Sequence, residues 1–449
     1  MIITQKASKD NTITDAKIDG SSRLTGSNQG KSEVLDLFVL PENSSSATNG
    51  KSRAIIQFDL TSISSSIADG TIPSSSVEYR LKLINAPHYE TLPYSFDLVV
   101  FPLSRSWDEG RGLSNFDEGL KDAGASNWNN ATTLTQWSLT GSDFITTLSA
   151  SQHFDDGLED LDVDISNIVY SWLTGGLPNN GLIVKFPDNY ETGSSTFYVK
   201  KFFSRHALVP ERLPRIEAKW TNAVQDDRAN IKYNSTGSLF YYRSLNGEFS
   251  NAAGPVFVNV LNSSSTVVQT ITASLRETGI YEASGVFVSF TSSTSIYRDV
   301  WFTSASQLFT GNFSPSFATG SNYFEIAKVT VDIPNLKEQY FNDEETIIRV
   351  FCRDVDYRPA LRKSGSTDVT AHYVKDAYYE IVNYDTNNPI FTFSTGSNKY
   401  SKLSYDKNGN YFKLKTSSLE KGSVYKIKIL IKSNKQQLIF DKNWLINIV

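Results

Sequence analysis

At 449 residues, with 39% hydrophobic content, the chain is too long for one ordinary core and is expected to form two to four domains. The formal net charge of -5 is unevenly spread: -8 over residues 1–222, -2 over 223–325 and +5 over 326–449. No block is basic enough for nucleic-acid binding, and no apolar run is long enough to cross a membrane as a helix. With 27 Phe, 22 Tyr and abundant Ser, Thr and Asn, the composition is that of strands and turns. The lone Cys352 allows no intrachain disulfide, which favours assembly in a reducing cytosol. The opening MIITQKASKDNTI has no apolar region of signal-peptide length, so a leaderless protein is expected.

In chain order, the first strands are Ile2-Ile3, Glu33 to Leu40 and Arg53 to Leu60, the last with Ala54, Ile56, Phe58 and Leu60 on one face. Ser74 to Ile84 places Val77, Tyr79, Leu81 and Leu83 inward, and Phe96 to Leu103 follows as another strand. A long irregular region to about Gln136 carries Trp107 and Trp128, with Trp137 beside it. In DVDISNIVYSWLTGG the residues Ile165, Ile168, Val169 and Trp172 fall at helical spacing. Asp164 or Ser166 can start that short helix and Gly175-Gly176 stop it. Asn179-Asn180-Gly181 then turns the chain into a buried strand at Leu182 to Val184, and LPRIEAKW closes the unit at Trp220.

Ser52 to Leu60, Trp107-Asp108-Glu109-Gly110, Asp164 to Gly175, Asn179 to Val184, Phe202 to Ser204 and Leu213 to Ile216 stand in an order that resembles the DNRLRE family of β-sandwich modules, also classed with carbohydrate-binding modules. The resemblance spans residues 1–222, with Leu213-Pro214 where the family usually has Arg-Pro. It implies a jelly-roll-like sandwich without catalysis, of a kind found in phage particles, bacterial surface proteins and polysaccharide-active enzymes.

TNAVQDDRAN after Trp220 reads as a linker. Residues 223–325 hold short strands about ten residues apart and read as an immunoglobulin-like sandwich, with GIYEASGVFVSF as a central hairpin and Phe309 to Tyr323 as a loop. Residues 326–449 read as a second such sandwich, ending in a hairpin YFKLKTSSLEKGSVYKIKILIK. The fold class is therefore all-β: an N-terminal jelly-roll-like sandwich with one short helix, then two immunoglobulin-like sandwiches.

The chemistry-bearing candidates are few. The run Asp155, Asp156, Glu159, Asp160, Asp162, Asp164 could offer oxygens to Ca²⁺, but it lacks an EF-hand loop and reads first as solvated carboxylates. His88, His153, His206 and His372 lie far apart in sequence and give no zinc signature with one cysteine, so no cofactor is expected. Asp108 and Glu109 beside Trp107 are the place to look for a glycosidase pair, and nothing around them suggests proton shuttling. Trp107, Trp128 and Trp137 are the candidates for contact with a glycan or a protein. Lys426, Lys428 and Lys432 share one strand face and are the candidate basic docking surface.

These readings converge on a non-enzymatic virion structural protein of a tailed phage, in the neck, tail or fibre. It would dock to other virion proteins as a homo-oligomer or multi-copy ring, with no nucleic acid and no membrane insertion. The alternative is a glycan-binding protein at a bacterial cell surface.

Overall fold

The computed structural model describes the chain apart from residues 19–21, 42–48, 116–121, 194–195, 288–295, 317–327, 356–372 and 434–435. The all-β expectation holds: 47% of the chain is strand and 7% helix. No helix among the described residues is long and apolar enough to cross a membrane. Contacts divide the chain into two compact units. The first comprises Ile3–Ser65 and Val77–Lys219; the second comprises Met1–Ile2, Ser66–Ser76 and Trp220–Val449.

The first unit is built on strands that pair out of chain order. One path runs Ala150–Phe154, Phe96–Pro102, Leu182–Lys185, Asn49–Phe58, Ile2–Thr14, Arg215–Lys219, Glu78–Leu83 and Leu161–Asp164. The strand Val34–Pro41 bridges Asn49–Phe58 to Phe197–Phe203. Strict alternation explains the inward faces: Tyr79, Leu81 and Leu83 are all fully buried, as are Phe96, Leu98 and Val100. The strand at Leu182–Lys185 lies between two others and is buried at every position, which is why it reads as a continuous apolar run.

The expected helix forms as Ser166–Leu173, and its buried face is Ile168, Val169 and Trp172 with Ile165 just before it. Asp164 Oδ1 accepts the Ser166 N–H at 2.9 Å, and Gly175, at φ +75°, leaves the helix in the left-handed region. Gly181 is also left-handed, and a Cβ there would stand 2.4 Å from the Ile56 carbonyl oxygen, so this turn requires glycine.

The expectation of one short helix needs correction, because Thr61–Ala68 and Asp188–Thr192 are helical too. TSISSSIA is serine-rich and buries only Ile63, so no apolar stripe announces it. Its start is set locally by Asp59, whose Oδ1 accepts the Thr61 N–H at 3.0 Å.

The second unit contains two separate cores. One gathers Leu239, Tyr241, Val258, Val260, Tyr281, Tyr297 and Trp301 between a three-stranded and a four-stranded sheet. The other gathers Val331, Ile348, Val350, Cys352, Tyr379, Phe412, Tyr425, Ile427 and Ile429, and includes Ile2. They correspond to the two sandwiches expected after residue 222, but three sequence readings change. Ile280–Val286 is one continuous strand paired without a bulge to Thr236–Tyr242, so no hairpin turns within it; residues 288–290 lie outside the described residues. Gln307–Phe313, expected to begin a loop, is an edge strand on Tyr297–Phe302. Gly409–Lys415 and Val424–Lys432 alternate as a hairpin would, yet they pair in different sheets. A 3-10 turn at Thr416–Ser418 redirects the connector, and Val424–Lys432 pairs instead with Gln437–Ile448 and Ala377–Asn383.

The segment after Trp220, read as a linker, is instead bonded to the last sandwich. Asp226 N–H donates to the Tyr405 carbonyl at 3.0 Å, and the Tyr405 hydroxyl donates to Asp227 at 2.9 Å. Those bonds, with Lys413 to Glu277 at 2.6 Å, tie both sandwiches into one unit.

Candidate binding cleft and aromatic groove

The three tryptophans singled out in the sequence come together, but inside. Trp107, Trp128 and Trp137 are 1–5% exposed and share a cluster with Ile13, Ile55, Leu103, Ala131 and Ile183. Trp107 Nε1–H donates to the Asn180 carbonyl at 2.9 Å, and Trp137 Nε1–H to the Asn127 carbonyl at 2.8 Å. Trp107 and Trp137 are therefore core residues rather than exposed stacking platforms, since each has both its ring and its polar edge satisfied internally.

Trp128 differs, because it also lines an open cleft of about 410 Å³. Around it stand Asp15, Arg23, Lys51 and Glu191, together with the neutral Thr25, Asn49, Asn129, Thr140 and Thr192. Asp15 accepts the Lys51 N–H at 2.8 Å, and its own carbonyl accepts from Arg23 at 2.7 Å. Glu191 is bound at both oxygens by Arg53, with Nε 3.0 Å from Oε1, and Lys185 lies 3.4 Å from it. The Arg53 guanidinium carbon lies 4.8 Å from the centre of the Trp128 ring and so holds the indole in place.

Two carboxylates face two cations in the cleft, leaving hydroxyl and amide groups to set its character. Such a lining suits a neutral, hydroxyl-rich ligand better than a charged one. Glu191 is held by cations on both oxygens. Gly141, at φ +85°, packs against Arg53 and Trp128; a Cβ there would stand 2.7 Å from Arg53 Nη1 and 2.8 Å from the Trp128 ring. Gly141→Ala is expected to destabilise the first unit by about 1–3 kcal/mol, read as a lower urea midpoint.

The acidic run is engaged with backbone N–H groups and with cationic side chains. Glu159 accepts the N–H groups of Asp155 and Asp156 at 2.6 and 3.1 Å, and Asp162 pairs with Arg80 at 2.5 Å. Burial works to raise the Glu159 carboxyl, but the N–H groups of its own residue, Asp156 and Asp155 hold it down to about 2. The loop wraps Lys200, which is fully buried and donates to Asn85 Oδ1 and to the Gly157 and Glu159 carbonyls at 2.6–2.8 Å. Among the described residues no three side chains of the run converge at ligand distance.

Burial pulls the Lys200 ammonium down from 10.5 to about 8, against the attraction of Glu159, Asp160 and Asp156. The folded state thus releases this proton near pH 8 while the unfolded chain keeps it to about pH 10.4. Between those values the unfolded state binds more protons, so this group's contribution to stability rises with pH. Urea midpoints of the native chain and Lys200→Met, followed from pH 7.5 to 10.5, are expected to diverge in favour of the native chain as pH rises.

The lysine face is largely neutralised. Lys426 pairs with Asp441 at 2.9 Å and Lys428 with Glu380 at 3.1 Å, each from a neighbouring strand; only Lys432 of the three is exposed. Cross-strand carboxylates thus meet two of the three lysines.

The second unit has a feature that no local signal revealed. A groove of about 560 Å³ is lined by Phe240, Tyr241, Tyr242, Phe249, Phe309, Ile347 and Tyr411. Tyr242, Phe249, Phe309 and Ile347 are 40–52% exposed. Both arginines that line it are paired, Arg228 with Asp299 at 2.6 Å and Arg349 with Asp406 at 2.8 Å, and Asp226 and Lys407 line it as well. Aromatic residues with arginine are enriched at protein interfaces.

No family model matches the chain, and no curated protein matches it. Among solved structures it is similar to the N-terminal Ig1-2 module of the Drosophila receptor protein tyrosine phosphatase DLAR, at 8% identity and a TM-score of 0.17, covering 51% of this chain and 96% of that one. It is also similar to native Escherichia coli alpha-2-macroglobulin, at 10% identity and a TM-score of 0.18, covering 98% of this chain and 20% of that one. A third is the BSP domain of a biofilm associated protein, at 10% identity and a TM-score of 0.18, covering 97% and 68%.

Proposed function

We propose that the chain is a non-enzymatic structural protein of a tailed-phage virion, placed in the neck, tail or fibre and docked to other virion proteins through its C-terminal sandwiches. The observation that carries this reading is the aromatic groove, whose half-exposed Phe249 and Ile347 suit an apolar segment of a protein partner. The ordered motifs of residues 1–222 add support, since they resemble a module used in phage particles. Mass spectrometry of purified particles is expected to find the chain, and its absence from them would sink the reading. Phe249→Asp with Ile347→Asp is expected to cut incorporation at least tenfold while the purified chain keeps its circular-dichroism spectrum.

A second reading is favoured by the Trp128 cleft: the first sandwich holds a neutral saccharide, as a receptor-facing module of the particle or at a cell surface. Thr140 is exposed at the rim. Thr140→Trp is expected to block the cleft and abolish glycan-array signal without lowering the melting temperature. No signal from the native chain on any neutral glycan would remove this second role.

A further inference from the structure

Outside the cleft, the first unit brings together three ligand-type side chains that stand far apart in sequence. Asp10 comes from the strand Ile2–Thr14, Glu109 from the Trp107-Asp108-Glu109-Gly110 segment, and His206 from the turn after Phe197–Phe203. One oxygen of each carboxylate and one imidazole nitrogen lie within 4.8 Å of one another. Asp10 is 1% exposed; its Oδ2 accepts the Arg205 N–H at 2.5 Å, while Oδ1 has no hydrogen-bond partner among the described residues. His206 Nε2 is also buried without such a partner, 3.9 Å from Glu109 Oε1. Two orphaned polar atoms facing one carboxylate are costly to bury unless something joins them.

The surroundings orient these atoms. His206 stands beside the Gly30 backbone, and its Nε2 is buried without a hydrogen-bond partner among the described residues. Gly30 and Gly110 pack with no room for a side chain: a Cβ on Gly30 would stand 2.3 Å from the Gly110 carbonyl oxygen. That close approach sets Glu109 beside the ring. Glu109 is then held in place by the Asp10 N–H at 2.9 Å and by Arg205 at 2.5 and 2.6 Å.

We propose that Asp10, Glu109 and His206 form a binding site for a transition-metal dication, with Zn²⁺ as the reference ion. Two oxygens and an imidazole nitrogen suit zinc, whereas Ca²⁺ and Mg²⁺ favour oxygen alone. Tetrahedral zinc at about 2.1 Å sets its donors roughly 3.4 Å apart, so closure requires shifts on the order of 1 Å. Asp10 and Glu109 supply two carboxyl groups, with Arg205 and Lys31 as the cations nearby. Arg205 is a positioning residue that holds Glu109 through both carboxylate oxygens.

A proton shared between Asp10 Oδ1 and His206 Nε2 would satisfy the same two atoms, and titration separates the two cases. The full chain, stripped with chelator, is titrated with ZnCl₂ by calorimetry and by thermal denaturation. The expected result is one site per chain at micromolar affinity or tighter, with a rise in melting temperature. Affinity is expected to fall at least tenfold in His206→Ala, His206→Gln and Asp10→Asn. It should be unchanged in His153→Ala, which removes a half-exposed histidine beside Asp97 and Asp155. Absence of a one-to-one zinc site in the native chain would overturn the proposal in favour of the shared proton. So would unchanged affinity in a His206 variant whose circular dichroism shows it folded.

Discussion

Replacing Glu191 by leucine is expected to cost the first unit about 3–5 kcal/mol, the range seen when one partner of a buried ion pair is removed. The residue is 4% exposed, and it compensates Arg53 and the fully buried Lys185 at once. Without it, among the described residues, Arg53 keeps only the Gly141 carbonyl as a hydrogen-bond acceptor, at 2.6 Å, and Lys185 keeps Asp188. Two cations would then share a space with too few acceptors, so the loss comes from stranded charge more than from a missing attraction. Adding Arg53→Met to Glu191→Leu is expected to recover most of the loss, because a paired removal leaves fewer groups unsatisfied. Urea unfolding of both variants measures this. A single variant within 1 kcal/mol of the native chain would show that Glu191 carries no such burden.

Trp107→Ala is expected to destabilise the same unit by about 3–5 kcal/mol, as large-to-small core changes do. Its ring is 1% exposed, in the cluster with Ile13, Ile55, Leu103 and Ile183, and Lys9 lies over it at 5.8 Å from the centroid. Truncation also strands the Asn180 carbonyl that accepts its N–H. Trp107→Phe should cost less, since it keeps part of the ring and loses mainly the N–H. Chemical denaturation with near-ultraviolet circular dichroism distinguishes the two. Loss of glycan binding in Trp107→Ala would therefore report damage to the fold, whereas Thr140→Trp probes the cleft without disturbing the core.

Much of the local structure was legible because it rests on contacts between near neighbours. Period-two alternation placed Tyr79, Leu81 and Leu83 inward, and helical spacing found Ile165, Ile168, Val169 and Trp172. The limit of that signal shows at residues 411–432, where two alternating strands joined by a short connector look like a hairpin and belong to different sheets. Alternation states which face is buried and is silent about which strand lies alongside. The helix Thr61–Ala68 was hidden for the opposite reason, since it buries only Ile63 and leaves almost no periodic trace.

The candidate sites divide in the same way. Sequence singled out Trp128, and it does line the cleft, but the other lining residues come from positions 15 to 192 and only sheet pairing collects them. The Asp10, Glu109 and His206 group spans almost two hundred residues, so no spacing rule for metal ligands could have found it. Gly30, Gly110 and Gly141 would have been the most useful clue, since each glycine marks a close approach near one of the two sites.

By itself the sequence determined the all-β class, the inward face of most strands and the helix at Ser166–Leu173, because these follow from backbone periodicity and from caps within a few residues. Only the tertiary structure decided that Trp107 and Trp137 are core and that Lys426 and Lys428 are neutralised. It alone placed Asp10, Glu109 and His206 at one point. Those outcomes depend on which strands pair and on which groups lose their water, and both are long-range properties that no stretch of sequence carries alone.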